Sequence, residues 1–377
     1  MALLPGYDQY VDITIPDTQI DSDLTHFPIL VKGSTSCGIG GKDVSFIFDE
    51  LGSNSLKIAF TEAGLTDQKY AEIEDWDAVS EEFSIWASKS DLVLDADGGP
   101  AYALRMYFDN DHADNTDYIG VSGSAGRNGP RENVWDANHV MVQHMADETT
   151  STITGSTSND KDGTKEGANK PAEATAQIGL GQHFEDTTSD NISFGDDSDF
   201  ELQTYLIEGW LKRDVIDDEH ILVSMQYQAA ATEGLCGVSF WIGSDNKLKI
   251  ANAIANSFEN FISDGTYENT GVYYYLAATK TGTTVKMYVN GAEVDSDTLS
   301  NATIDYTTGE TKRTAIGARW HAGSGWKGLC DGLEDEIRVS DSIRSVAWIK
   351  ANYNFGIDNV LSWGDKVTVF VPQIVII

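Results

Sequence analysis

The sequence is poor in cysteine, proline and basic residues: its 377 residues include 3 Cys, 7 Pro and 25 Lys or Arg, against 60 Asp or Glu. Cys37, Cys236 and Cys330 are too few and too scattered for a disulfide framework or a zinc site, which predicts buried apolar thiols, with a Cys236–Cys330 bridge as the alternative. At a formal net charge of -35, no basic stripe is available to displace counterions from phosphates. This excludes a nucleic-acid partner and disfavours anionic membranes.

The sequence also lacks a long hydrophobic run. The longest, residues 367–377, is interrupted by Pro372 and Gln373 and is shorter than the ~20 residues that span a bilayer. The N-terminal residues show neither the basic segment nor the apolar stretch of a signal peptide. We therefore expect no membrane insertion and no Sec export signal in this sequence.

The sequence does contain a succession of short segments with strand character, separated by turn-forming residues. Alternation of apolar and polar residues, as in Val11-Asp12-Ile13-Thr14-Ile15, has the period of two of a strand with one buried face. Because no helical pattern lies between these segments, residues 1–130 are predicted to form a β-sandwich. The predicted strands are residues 10–15, 27–31, 44–48, 57–61, 70–74, 82–87 and 103–108.

A polar, glycine-rich stretch at residues 109–132 indicates a domain boundary, and strand-like segments resume beyond it. Residues 131–365 are predicted to form a second all-β domain, with Asn290-Gly291 as a hairpin turn and one helical segment at residues 345–353. The tail, residues 366–377, has high β-propensity and one charge. Left unpaired it would aggregate, so we expect it to pair with a sheet of this chain or with a neighbouring subunit.

Several phrases of the second domain resemble laminin-G-like domains of the concanavalin A superfamily and follow the same order. They are Leu206-Ile207-Glu208-Gly209-Trp210-Leu211-Lys212, Lys286-Met287-Tyr288-Val289-Asn290-Gly291, Thr314-Ala315-Ile316-Gly317 and Gly332-Leu333-Glu334-Asp335-Glu336-Ile337-Arg338-Val339. The resemblance implies a concanavalin A-like jelly roll. The fold class expected for the chain is therefore all-β, with two β-sandwich domains.

The first domain is similar to a bacterial and viral domain of uncharacterised function that typically precedes a laminin-G-like one. The similarity rests on Leu24-Thr25-His26-Phe27-Pro28-Ile29-Leu30-Val31, on Leu56-Lys57-Ile58-Ala59-Phe60-Thr61 and on the junction Val134-Trp135-Asp136. It implies a β-sandwich in a surface-exposed protein, without a known activity.

Catalysis has little support in the sequence. Glycosidases on the concanavalin fold place two carboxylates at alternate residues of one strand face. Glu334, Asp335 and Glu336 are contiguous, and neighbouring side chains of a strand point to opposite faces. We therefore expect no enzyme activity, with Asp335 fixing a loop or a calcium ion and Glu336 paired with Arg338 on the strand surface.

Calcium is the one cofactor that the sequence favours. Laminin-G-like domains often hold this ion with loop carboxylates and backbone carbonyls, and Asp147 and Asp335 are the candidate ligands. Two ordinary surface carboxylates are the alternative. His139, His144 and His183 lack the spacing of a zinc motif, so we expect them to be packed or hydrogen-bonded.

Sugar recognition requires aromatic rings beside polar groups. Trp320, His321, Trp326 and Lys327 lie in the glycine-rich segment 318–328 and form the best exposed candidate for a glycan site. Packing of the two tryptophans in a core or an interface is the alternative. Trp241 is expected in the core.

These observations predict a non-catalytic structural protein of a virion or cell surface, such as a phage tail fibre, spike or capsid-decorating subunit. Its lectin-like domain would attach to glycans or to a host surface. The resembled families act outside cells, and virion proteins reach the exterior by assembly and lysis without an export signal. Its partners would be further copies or other virion subunits, contacted through residues 366–377. A secreted bacterial adhesin or carbohydrate-binding module is the main alternative, and a glycoside hydrolase the third.

Overall fold

The computed structural model describes residues 2–96, 101–123, 129–146, 151–168, 170–229, 235–307, 311–321 and 323–369. The chain divides into two compact units. The first comprises Met1–Asp136 and Asn354–Ile377, and the second comprises Ala137–Tyr353. Residues 354–365, which the sequence placed with the second domain, thus belong to the first unit. Compact units need not coincide with evolutionary domains, so the predicted domain limits at residues 130 and 365 stay predictions.

The N-terminal segment of the first unit consists of short strands, one α-helix (α1, Phe46–Leu51) and the 3-10 turns Asp17–Gln19 and Pro130–Val134. The strands are β1 (Gln9–Ile15), β2 (Leu24–Thr25), β3 (Ile29–Gly33), β4 (Ile58–Glu62), β5 (Gln68–Asp77), β6 (Glu82–Ser88), β7 (Val93–Leu94), β8 (Tyr102–Phe108) and β9 (Ile119–Val121).

The second unit contains eighteen strands in its described residues, with 3-10 turns at Asp186–Thr188 and Ser198–Phe200. The strands are β10 (His139–Gln143), β11 (Thr152–Ile153), β12 (Gly163–Glu166), β13 (Ala172–Thr175), β14 (Leu180–Phe184), β15 (Asn191–Gly195), β16 (Tyr205–Arg213), β17 (His220–Ala229), β18 (Leu235–Ile242), β19 (Lys247–Ile254), β20 (Ser257–Thr266), β21 (Tyr273–Thr281), β22 (Thr284–Val289), β23 (Ala292–Thr298), β24 (Arg313–Ile316), β25 (Arg319–His321), β26 (Gly325–Lys327) and β27 (Gly332–Ser340).

The chain ends with helix α2 (Val346–Gly356) and the short strands β28 (Ser362–Trp363) and β29 (Val367–Thr368). The predicted all-β class is confirmed, and so is the predicted helical segment at residues 345–353. Neither helix in the described part of the chain is long and apolar enough to cross a membrane.

The main sheet of the first unit has the order β28-β1-β8-β4-β5-β6-β3, with β29 beside β1 and β9 beside β5. Strand β1 shows the predicted alternation, since Val11, Ile13 and Ile15 are buried and the residues between them are partly exposed. The long strand β5 pairs with β4 through its first residues and with β6 from Tyr70 onward, so it links two parts of the sheet.

The beginning of the C-terminal tail pairs within this chain. Val367 and Thr368 lie antiparallel to Tyr10 and Gln9 of β1. The backbone N–H of Val369 donates to Asp8. Residues 370–377 lie outside the described part of the chain, so a role of the tail in assembly stays a prediction.

The predicted strand at residues 44–48 is wrong, because helix α1 occupies most of it. Ile47, Phe48 and Leu51 are its buried residues, and this spacing places them on one face of a helix. Gly52 ends the helix with a φ of 53°, a conformation that costs glycine little. A short apolar run such as Phe46-Ile47-Phe48 fits a strand or a helix equally well, which explains the error.

The second unit consists mainly of two eight-stranded antiparallel sheets. The first sheet has the order β13-β14-β27-β16-β21-β22-β23, with β10 beside β27. The second sheet has the order β11-β12-β15-β24-β17-β18-β19-β20. Ile207 and Leu211 of the first sheet and Phe240 and Ile316 of the second are fully buried in one hydrophobic cluster. The inward residues of both sheets thus form a shared core, as in a sandwich.

Two local predictions for this unit are settled by the structure. Asn290 and Gly291 join β22 to β23 with φ values of 52° and 78°, which confirms the predicted hairpin turn. Cys37, Cys236 and Cys330 are all free and buried. The prediction of buried thiols is confirmed, and the alternative Cys236–Cys330 bridge is wrong.

Candidate functional site

A two-stranded ribbon, β25 and β26, follows β24 and carries the four residues proposed for glycan contact. Trp320 lies directly opposite Trp326 in the antiparallel register. Their ring centroids are 5.1 Å apart at an interplanar angle of 75°, an edge-to-face arrangement. Both side chains are partly exposed. We call this pair of strands the tryptophan ribbon.

Arg313 of strand β24 packs against the two indole rings. The guanidinium carbon of Arg313 lies 4.4 Å from the ring centre of Trp320 and 5.8 Å from that of Trp326. The indole N–H of Trp326 donates to a carboxylate oxygen of Glu166, at 3.0 Å. Glu166 also lies 3.9 Å from Arg313. Cation–π contacts and a hydrogen bond therefore hold both rings in fixed orientations.

The base of the ribbon lies against the outer face of the second sheet. Because Phe240 and Ile242 point into the core, Trp241 between them points to the opposite face. Trp241 packs in a separate small cluster with Ile221. The guanidinium of Arg319 lies 5.6 Å from the Trp241 ring centre. Trp241 is thus buried as expected, but beneath the ribbon and not in the main core.

The remaining two predicted residues lie at the tip and the far strand of the ribbon. The Nδ1 atom of His321 is 2.7 Å from the hydroxyl of Ser324. Lys327 is exposed and pairs in register with Arg319, whose guanidinium donates to Glu219 at 2.6 Å. The structure therefore brings Trp320, His321, Trp326 and Lys327 together, and their role in binding stays a prediction.

Sequence reasoning missed the residues that fix the ribbon. Arg319 lies in the ribbon and Arg313 in the preceding strand, whereas Glu166 comes from the distant strand β12, and the sheet order brings Arg313 and Glu166 beside the tryptophans. The one available signal was the basic cluster from Lys312 to Lys327 in an otherwise acidic sequence.

The two residues proposed for calcium have different outcomes. Asp147 lies outside the described residues. Asp335 is fully buried, and one of its carboxylate oxygens accepts the backbone N–H of Ile178 at 2.9 Å. Asp335 therefore fixes the loop before β14, one of the two roles expected for it. Calcium binding itself stays a prediction.

A group with metal-ligand chemistry lies elsewhere in the second unit, at one end of the first sheet. His183, Asp214 and Asp331 each place a ligand atom within 4.8 Å of the others. The Nε2 atom of His183 is 2.7 Å from Asp214. Burial, together with the charges of Asp186 and Asp214, raises the pKa of Asp331. An imidazole with two carboxylates can hold a transition-metal cation better than calcium, which prefers oxygen ligands alone.

No sequence motif indicated this group. His183 lies near the end of β14, Asp214 follows β16 and Asp331 precedes β27, so three distant segments supply the ligands. A zinc motif is recognisable in a sequence only where two ligands lie close together along the chain.

The three contiguous carboxylates of β27 are all buried and have different partners. Burial raises the pKa of Glu334 well above its usual value. Burial alone would also raise the pKa of Glu336, but the charges of His144 and Arg338 outweigh it and lower the pKa to about 2. Glu336 pairs with Arg338 as expected, yet both are buried, so the predicted surface pair is wrong.

A bulge explains why simple alternation fails in this strand. Glu336 has a φ of 52°, and the register with β16 shifts there, between the pair Trp210↔Asp335 and the pair Glu208↔Arg338. One extra residue in a strand changes which face the following side chains take. The sequence pattern offers no sign of this insertion.

Residues 186–350 match the family model described as the concanavalin A-like lectin/glucanases superfamily. These residues are a domain of that superfamily, which confirms the resemblance seen in the sequence and includes the tryptophan ribbon. No curated protein matches the chain.

Similar solved structures are distant. Domain 4 of AbnA, a GH43 extracellular arabinanase from Geobacillus stearothermophilus, solved with arabinotriose, is 19% identical at a TM-score of 0.44, over 57% of this chain and 98% of that one. The CBM40 of the Ruminococcus gnavus IT-sialidase, bound to α2,3-sialyllactose, is 11% identical at a TM-score of 0.36, over 41% and 84%. A mutant Trypanosoma rangeli sialidase displaying trans-sialidase activity is 10% identical at a TM-score of 0.42, over 59% and 34%.

Proposed function

We propose that the second unit is a non-catalytic glycan-binding module and that the tryptophan ribbon is its contact surface. The observation that carries this proposal is the partly exposed Trp320–Trp326 pair, held in place by Arg313 on the outer face of the second sheet. Membership of residues 186–350 in a lectin/glucanase superfamily supports the same conclusion.

The chemistry of the ribbon suits a sugar. A sugar ring has an apolar face, which packs on an indole, and hydroxyl groups on its edge, which need donors and acceptors nearby. Lys327 and Ser324 are exposed beside the indoles, and Lys327 offers a cationic donor. Because the rings are already oriented, little side-chain entropy is lost when a ligand binds.

The absence of catalysis is part of this proposal. Its support is the burial of Glu334, Asp335 and Glu336, the carboxylates that come nearest to the glycosidase pattern in the sequence. Asp335 anchors a loop and Glu336 is paired with Arg338. A hydrolysis assay on glycans tests the absence of catalysis. If the protein releases reducing sugar, and if changing a single carboxylate abolishes that release, the protein is an enzyme.

We further propose that the module serves attachment at the surface of a virion or a larger particle. The basis is the similarity of the first domain to a bacterial and viral domain and the strand-forming tail. A bacterial adhesin is the alternative. Deletion of residues 366–377 tests the assembly role, since the truncated protein should lose its oligomeric state in analytical ultracentrifugation. The same oligomer at the same concentration would contradict that role.

The binding site is tested by a glycan array, followed by calorimetric titration with the best-bound oligosaccharide. We expect Trp320→Ala to weaken binding at least about tenfold, the equivalent of ~1.4 kcal/mol. Tyr273→Ala is the matched control, because Tyr273 is also partly exposed and has a cation, Lys212, 5.2 Å from its ring centre, but on the first sheet. Equal affinity of Trp320→Ala and the wild type would move the site away from the ribbon.

A further inference from the structure

The first unit contains a pocket that none of the features above uses. It has a volume of about 280 Å³ and lies beside strand β9 and the 3-10 turn at Pro130–Val134. Its lining is largely apolar, with one hydroxyl and one cation. The residues that matter are Leu56, Thr116, Ile119, Val121, Pro130 and Arg131.

Arg131 is the cation of this pocket, and it is 2% exposed. Its Nε and Nη1 atoms are buried and have no hydrogen-bond partner among the described residues. Gly120 makes this placement possible, because a Cβ atom at that position would lie 2.8 Å from the Cβ of Arg131. Strand β9 therefore approaches the arginine closely and holds it against the pocket.

A second buried arginine of the same unit, Arg105, has a carboxylate partner at one edge of its guanidinium. Arg105 is 1% exposed, and its Nε and Nη2 atoms donate to the two carboxylate oxygens of Asp12 at 2.6 and 2.9 Å. This two-point pairing is the usual arrangement for a buried arginine. Arg131 has the same burial without the carboxylate.

A buried guanidinium without an anion is strongly unfavourable, so a partner for Arg131 is expected. The segment that precedes Gly129, residues 124–128, reads Ser-Ala-Gly-Arg-Asn and contains no acidic residue. It adds a second arginine instead. Since no described residue pairs with the Nε and Nη1 atoms of Arg131, an anionic ligand would fill this role.

We propose that this pocket binds a small monocarboxylate that has a short apolar body. The carboxylate would accept from the partnerless Nε of Arg131, on the same guanidinium edge at which Asp12 pairs with Arg105. The apolar body would pack against Leu56, Ile119 and Pro130, which a fully hydrated anion such as phosphate cannot use. The chain's net charge of -35 also repels a dianion more strongly than a monoanion.

The test uses the full chain and butyrate as the probe, in thermal unfolding and calorimetric titration at constant ionic strength. Butyrate should raise the melting temperature with increasing concentration, above sodium chloride and above inorganic phosphate. Arg131→Met should melt higher than the wild type without butyrate, because an unpaired buried charge is gone. It should also bind butyrate at least about tenfold more weakly.

Arg105→Met is the matched control, since it removes an equally buried arginine that already has its carboxylate. This variant should melt lower than the wild type and keep its response to butyrate. The proposal is overturned if butyrate has no more effect than chloride on the wild type, if phosphate stabilises more than butyrate, or if Arg131→Met responds as the wild type does. Arg131→Lys, which keeps the charge but not the guanidinium edge, should respond more weakly than the wild type.

Discussion

The two sheets of the second unit carry similar residue types on their outward faces, but these residues are covered on one sheet and accessible on the other. On the first sheet, Trp210 packs on Tyr275 and Tyr353, with ring centroids 5.2 and 5.7 Å away, and is 2% exposed. On the tryptophan ribbon, which lies against the outward face of the second sheet, Trp320 and Trp326 pack on each other and stay partly exposed. Whether a tryptophan on an outward face is structural or available to a ligand therefore depends on whether other side chains cover it.

The charged residues of the two faces differ in the same way. On the first sheet, Arg338 pairs with Glu336 and lies 3.9 Å from Glu208, and Asn352 of α2 donates to Glu208 at 3.0 Å. All of these side chains are buried. On the second sheet, Nη1 of Arg313 lies 3.9 Å from a carboxylate oxygen of Glu166, too far for a hydrogen bond, and both side chains are about one-third exposed. The first network is structural, and the second is available to a ligand.

The largest expected effect is on stability, and it distinguishes Arg338 of the first sheet from Arg313 of the second. Arg338→Met leaves Glu208 buried without its cation and Glu336 with His144 alone, which should lower the free energy of unfolding by about 3–5 kcal/mol. Arg313→Met, at a partly exposed pair, should lower it by less than about 1 kcal/mol while weakening glycan binding. Urea denaturation followed by tryptophan fluorescence measures both. Equal losses for the two variants would remove the distinction between the faces.

A second prediction concerns pH and a buried histidine of the second sheet. Burial, with the charge of Arg213, lowers the pKa of His220 to about 4, against about 6.5 in an unfolded chain. The unfolded state then binds more protons between these values. Stability should therefore be intact above pH 6.5 and fall by about 3 kcal/mol as the pH decreases to 4.

His220→Asn tests this directly, because it keeps a side-chain acceptor near the backbone N–H of Asp331, which donates to Nδ1 of His220. The slope of stability against pH should flatten in this variant between pH 6.5 and 4. His321→Asn, the same exchange at a partly exposed histidine of the tryptophan ribbon, is the control for the substitution itself. An unchanged slope for His220→Asn would assign the titration to other groups.

The sequence was sufficient for those features that depend on local pattern. Val11, Ile13 and Ile15 alternate as a strand must, and Asn290-Gly291 tolerates the positive φ values of its turn. The ribbon tryptophans were also recognisable, because they lie six residues apart in one glycine-rich segment.

Features that depend on the sheet order were not predictable. Arg313 reaches Trp320 only because β24 precedes a ribbon that turns back over it, and Glu166 comes from a strand far away in the sequence. The bulge at Glu336 changes side-chain direction without any mark in the residue types around it. Strand register decides which side chains become partners, and the register cannot be read from a single sequence.

The smallest expected effect concerns two buried glutamates of the same strand, Glu334 and Glu336 of β27. Glu334 and Glu336 are both buried in β27, but burial raises the pKa of Glu334, whereas the charges of His144 and Arg338 lower that of Glu336. Because the folded-state pKa of Glu334 is raised, the wild type loses stability as the pH rises above about 4.5, and Glu334→Gln removes that loss.

At pH 5, Glu334→Gln should lower the free energy of unfolding much less than Glu336→Gln does, and it should gain on the wild type as the pH rises. Glu336→Gln is the matched variant and should lose several kcal/mol at every pH above 5, because Arg338 and His144 lose their anion. Denaturation curves at pH 5, 7 and 9 distinguish the two. If Glu334→Gln destabilised the protein as much as Glu336→Gln does, Glu334 would be an ionised member of the buried network and not a neutral acid.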